Sequence, residues 1–188
     1  MVLNKEYCST VRAHYQSVWG KDYAEVLFSR GPIDELPENF RILRFPPTSN
    51  KLMWAYATQC MSQPQDENRV ELHLFTQREY DDEIAELLTA TAHYHRTGHR
   101  LGAGHTVNFG RPWIGHSECD RGLTSLPYLD GPTLEWLDLG SVRVRFLWLI
   151  PVTKREVDYI QSDGLESFEQ RLESAQFNYL DVARKSVV

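Results

Sequence analysis

No apolar run in this 188-residue chain approaches the ~20 residues that a membrane-spanning helix needs, the longest being Phe146–Val152. The opening stretch, MVLNKEYCSTVRAHYQ, lacks the apolar core and small-residue cleavage site of a signal peptide. Cysteine is scarce. Cys8, Cys60 and Cys119 are odd in number and far apart, which argues against a disulfide framework and fits a reducing cytoplasm. HExxH, paired CxxC and GxSxG are all missing, so neither a common zinc spacing nor a hydrolase elbow is present. Basic charge is in deficit: 20 Lys and Arg against 26 Asp and Glu leave a net −6, which repels a phosphate backbone and favours a basic protein partner over nucleic acid.

What is present suits a folded domain. Hydrophobic residues make up 41% and aromatics 12%, too much for a disordered chain. No repeat, low-complexity tract or linker divides it, so one domain over residues 1–188 is expected. Tyr7, Val11, His14, Tyr15 and Val18 form the stripe of an amphipathic helix over Asn4–Trp19. Ala24–Ser29 is a short apolar stretch closed by Gly31 and Pro32. Phe40–Phe45 alternates, Lys51–Met61 reads as a buried strand, and Arg69–Gln77 alternates Val70, Leu72, Leu74 and Thr76 with Glu71, His73 and Phe75. The last two suggest a hairpin.

Glu79–Arg96 has the clearest helical period, with Asp81, Asp82 and Glu83 in its first turn and Gly98 to close it. Strands are expected at His105–Phe109, Leu123–Leu129, Leu134–Leu137 and, centrally, Val142–Val152. Thr153 and Glu156 spell a capping box for a short helix, and a second helix opens near Gly164 to bury Leu165, Phe168 and Leu172 before a basic tail. Strands grouped between helices, without strict β-α alternation, predict an α+β fold with a mixed sheet.

The chemistry-bearing residues concentrate in the middle. His93, His95, His99, His105 and His116 precede Cys119 and Asp120, yet residues two apart on a helix diverge by ~200° and no closed tetrahedral set emerges. No metal and no cofactor is expected. Gly102 and Gly104 follow a helix and precede a strand, the reverse of a phosphate loop, so they are read as serving a tight turn. Ser117 beside His116, and Cys119 near it, lack the rest of a catalytic constellation. Trp148 is read as core. Trp113, between Pro112 and Gly115, is the better candidate for an exposed anchor at a protein interface. The candidate partner-binding loop therefore comprises Gly102, Gly104, His105, Trp113 and His116, with no catalytic residue assigned.

Four segments in order carry a family resemblance. They are Glu71–Phe75 leading into the long helix, Leu101-Gly102-x-Gly104-His105-Thr106-Val107, Trp148–Val152 followed by Glu156, Tyr159 and Gly164, and Arg184–Val187. Over about residues 50–188 the chain resembles the suppressor of fused (SUFU-like) domain family. The resemblance implies a binding module without catalytic machinery. In animals the family member is a longer two-domain regulator that holds a transcription factor through an added peptide strand. Short stand-alone bacterial members are more similar to this chain, and the resemblance implies for it a cytoplasmic immunity protein that covers a cognate toxin. A regulatory partner of a non-toxin protein, or an enzyme using residues 98–120, are the alternatives.

Overall fold

The computed structural model describes residues 2–28, 32–181 and 183–188. Its elements are α1 (Val2–Trp19), β1 (Ala24–Val26), β2 (Arg41–Phe45), β3 (Trp54–Gln59), β4 (Val70–Thr76), α2 (Asp81–Arg96), β5 (Thr106–Asn108), β6 (Cys119–Ser125), α3 (Pro132–Glu135), β7 (Trp136–Asp138), β8 (Arg143–Thr153), α4 (Lys154–Asp163) and α5 (Leu165–Ser174). The strands form one eight-stranded sheet in the order β1-β2-β3-β4-β8-β6-β5, with β7 also pairing β8. Only β4 and β8 run parallel among these pairs, so the sheet is mixed and the fold is α+β as expected.

Side-chain alternation assigns the helices to opposite faces. Leu72, Leu74, Leu147 and Leu149 pack with Ile84, Leu88 and Ala92 of α2. Their strand neighbours Phe75, Phe146, Trp148 and Ile150 pack with Tyr7, Val11, Tyr15 and Trp19 of α1. On that same α1 face, Leu123 and Val152 meet Val157, Phe168 and Leu172 of α4 and α5. The sheet is thus covered on both sides, and β4 is buried along its whole length. Glu71 and His73, which alternate with Leu72 and Leu74, are buried as well. Glu71 is satisfied by Thr58 Oγ1 (2.6 Å), by the Ser62 amide and hydroxyl (3.1 Å each) and by the Met61 amide (3.2 Å). Burial nevertheless outweighs these bonds and lifts its carboxyl to about 7.

Several boundaries move. Leu123–Leu129 was expected as a strand, but β6 starts earlier at Cys119 and ends at Ser125. Leu134–Leu137 is half helix and half strand, because Pro132 opens a single turn before the chain extends into β7. The Ala24–Ser29 stretch yields β1, while Ser29 and Gly31 lie outside the described residues. The capping box forms as read, with the Thr153 hydroxyl accepting from Glu156 N and the Glu156 carboxylate accepting from Thr153 N. The basic tail is tied into the fold. Arg184 is buried and donates to both Glu156 oxygens, at 2.6 and 2.9 Å.

The cysteine reading also needs correction. Cys8 on α1 and Cys60 just after β3 are joined by a disulfide with Cα atoms 5.5 Å apart. Their sequence separation of 52 hid the pair, since only the fold brings α1 over the end of β3. With Cys8 and Cys60 joined, the cysteines no longer point to a reducing compartment. Closing a loop of this length stabilises a fold by about 4 kcal/mol in the chain-entropy account. Unreduced, denatured protein should therefore titrate with one thiol, the buried Cys119, and with three after reduction. The Cys8→Ala/Cys60→Ala variant should lose about 4 kcal/mol in urea denaturation. Three thiols in protein purified without reductant would contradict the pairing.

Candidate functional site

Of the residues singled out in sequence, His105 and Trp113 line clefts beside the last strand of the sheet, Gly102 and Gly104 form the turn that leads into it, and His116 is exposed and lines neither cleft. β5 pairs with β6 on one side and ends the strand order on the other. The Phe109 amide donates to Asp120 O (3.1 Å) and the Thr124 amide to His105 O (2.9 Å). Alternation along an antiparallel ladder then turns the Val107 groups inward to β6 and the Thr106 and Asn108 N–H and C=O groups outward. Two clefts of about 300 Å³ border this open edge. One runs past Val107, Asn108 and Phe109, the other past His105 and Thr106, and both are lined by Tyr94 and His99. The Tyr94 and His99 rings are stacked, 4.1 Å apart and within 7° of parallel.

The Gly102–His105 turn is fixed by Thr124 of β6. Thr124 Oγ1 donates to Gly102 O (2.5 Å) and accepts from His105 N (3.1 Å), while Thr124 O accepts from Gly104 N (2.6 Å). Gly104 has φ +82, and a Cβ there would lie 3.0 Å from Leu165 Cδ2 on α5. Gly102 needs no positive φ, and its nearest neighbour for a Cβ is the His105 ring at 3.6 Å. The two glycines are therefore not equivalent: the backbone demands glycine at Gly104.

Trp113 is not the exposed anchor that its irregular surroundings suggested. It is 2% exposed, donates its indole N–H to Arg121 O (2.8 Å) and meets the Phe109 ring edge-on at 5.3 Å. It forms part of the cleft's wall through its buried body. His105 and His116 are both exposed. His95 is buried, accepts from the Leu101 amide (3.0 Å) through Nδ1, and is held below the usual histidine range by burial and then by the Arg96 charge. Sequence reasoning missed Gly122. A Cβ on it would lie 2.7 Å from Leu149 Cδ1 and 2.9 Å from Phe109 Cζ, so its lack of a side chain lets Phe109 cross the sheet. The strand expected here began at Leu123, one residue past Gly122, so no sequence signal placed Gly122 inside β6.

Cys119 and Ser117, the nucleophile types in this region, are both buried. Burial pushes the Cys119 thiol up to about 11, and it donates to Arg184 O (3.7 Å) instead of facing a base. Ser117 is buried, with its Oγ accepting from the Cys119 amide (3.0 Å). Among the described residues no group of three or more His, Cys, Asp or Glu side chains is placed to hold a metal ion. The cleft cations are paired: Arg111 with Glu86 (2.5 Å) and Arg100 with Glu67 (2.7 Å).

The family model described as suppressor of fused protein (SUFU) matches residues 37–185, which span these clefts. The chain belongs to the SUFU family. The match extends further toward the N-terminus than the sequence resemblance did. A crystal structure of a SUFU homolog from Neisseria gonorrhoeae superposes with a TM-score of 0.84 at 30% identity, covering 98% of each chain. A chain from the crystal structure of the Sufu–Fu complex shares the fold with a TM-score of 0.70 at 15% identity, over 96% of this chain and 92% of that one. Drosophila Suppressor of Fused gives 0.67 at 15% identity, over 94% of this chain and 50% of its own length. No curated protein matches the chain by sequence.

Gly104→Ala should destabilise the SUFU fold by ~1 kcal/mol or more, since alanine is strained at this φ and meets Leu165. Gly102→Ala should cost less. Parallel urea melts of the two variants check the difference, and equal costs would contradict it.

Proposed function

We propose that this chain is a non-catalytic protein-binding module, one domain over residues 1–188, that takes an extended segment of its partner along the open edge of β5. The observation that carries this reading is the outward-facing backbone of Thr106 and Asn108, bordered by two clefts at the end of the sheet. An exposed strand edge gives affinity through main-chain hydrogen bonds, and flanking pockets give specificity through alternate side chains. Membership of the SUFU family supports it, as does the shared fold with a chain crystallised in a Sufu–Fu complex.

The partner class follows from the short bacterial members that this chain resembles: a basic toxin domain, neutralised by direct binding as an immunity protein. The net charge of −6 steers such a partner from a distance, because the cleft's own arginines are already paired. The cytoplasmic location of such a role is part of the proposal. Among the described residues no helix is long and apolar enough to cross a membrane.

Co-expression with a toxin encoded beside it tests the reading. Wild-type chain should protect and co-purify with the toxin, with association slowing as salt rises. Thr106→Pro removes an outward amide without touching the β5–β6 ladder, so it should fold normally and lose protection together with the complex. Protection without a complex would point to an enzyme. A stable complex with some other protein, and no protection, would leave binding and remove immunity.

A further inference from the structure

A second constellation lies on the α1 face of the sheet, opposite α2, and does not rest on the β5 reading. Lys51 folds back from the 46–53 turn so that its ammonium stands 4.5 Å from the Phe75 ring centroid and 5.5 Å from that of Trp19. It pairs with Asp130, whose side chain is only 4% exposed. The His73 ring stands 5.4 Å from both Trp19 and Phe75, and Trp148 lies 5.7 Å from Phe75. Aromatic faces and one carboxylate are the chemistry that recognises an ammonium group.

Lys51 leaves this box under-used. An ammonium has three N–H donors, and among the described residues Lys51 uses them for one hydrogen bond, to Asp130 Oδ1. Asp130 Oδ2, both ring nitrogens of His73 and Trp19 Nε1 are buried without a hydrogen-bond partner among the described residues. Burial, and then the charge of Lys51, press His73 down to about 3, so the ring is neutral and keeps an acceptor lone pair. The turn that carries Lys51 is tied mainly to itself: Thr48 N donates to Lys51 O (2.9 Å) and Lys51 N to Thr48 O (3.2 Å). Withdrawing it breaks no bond of the sheet ladder. Leu52 and Leu129, chain neighbours of the Lys51–Asp130 pair, are 81% and 40% exposed, and Tyr128 is 60% exposed.

We propose that Trp19, Phe75, His73 and Asp130 form an ammonium-recognition site in which Lys51 is the resident occupant, and that its ligand class is a primary alkylammonium on an apolar stem, the chemistry of a lysine side chain on a bound polypeptide. The exposed leucines and Tyr128 supply the apolar rim for that stem, and the acidic net charge favours a cationic ligand. The test uses full-length protein carrying Lys51→Ala, with n-butylammonium as the probe and 1-butanol as its neutral control. Butylammonium should raise the melting temperature of Lys51→Ala saturably, by about 3–5 °C at ten times its Kd. Wild-type protein, in which the ligand must displace Lys51, should show the rise only at higher butylammonium concentrations, Lys51→Ala/Asp130→Asn should show no saturable rise, and butanol should have no such effect on any of them. No rise in Lys51→Ala, an equal rise with butanol or an equal rise in wild type at the same concentrations would overturn the assignment. If Lys51→Ala does not fold, amine labelling of wild-type protein decides: Lys51 should react far more slowly than exposed Lys5, with Asp130→Asn erasing the difference. Equal labelling rates in wild type would overturn the site.

Discussion

The C-terminal half of this fold is organised by one fully buried carboxylate. Glu156 accepts from Thr153 N, from two Arg184 nitrogens and from Val187 N, so one side chain caps α4, neutralises a buried guanidinium and fixes the end of the chain. Arg184 in turn donates to the Pro151 carbonyl (2.8 Å) at the end of β8, which ties the tail to the sheet. Arg184 Nε is buried without a partner among the described residues, so the pair is held through the two terminal nitrogens, and removing one partner of such a buried pair costs about 3–5 kcal/mol. Cys119 lies in the same knot, its thiol directed at Arg184 O, and the strand it opens leads to Thr124, which holds the Gly102–His105 turn. The geometry beside β5 thus rests on an anchor in the tail.

What could be read from the chain followed the range of the interaction. The Thr153–Glu156 capping box spans three residues and was legible, as were the α2 period and the long strand β8. The other half of Glu156's role was not, because Arg184 is 28 residues away, in what read only as a basic tail. Cys8 and Cys60 failed in the same manner. The burial of Glu71 and His73 was not legible for a different reason. Alternation reports that two faces differ, but it cannot tell a polar row facing water from a polar row facing α1.

The candidate site divides along the same line. Gly104 was legible because its demand is local, a backbone angle at a helix-to-strand turn. Trp113 was misjudged because irregular chain usually runs over the surface, and only the packing of Phe109 and Arg121 O around it reveals a buried ring. The open edge of β5 had no sequence signal at all, since strand order is a property of the whole sheet.

The parallel pairing of β4 with β8 orders the assembly of the chain in time. β2, β3 and β4 pair antiparallel and in sequence, so they can associate from short-range contacts. The partner on β4's other side arrives only after α2, β5, β6 and β7 have been synthesised. Distant pairings pay loop-closure entropy before contacts reward it, and β4–β8 closes the longest loop of any strand pair in the sheet. During that interval β4 carries Val70, Leu72 and Leu74 on a bare edge, a template for pairing with another nascent chain. The interior strand of the finished protein is the exposed one of its youth, and β8 closes that vulnerability last.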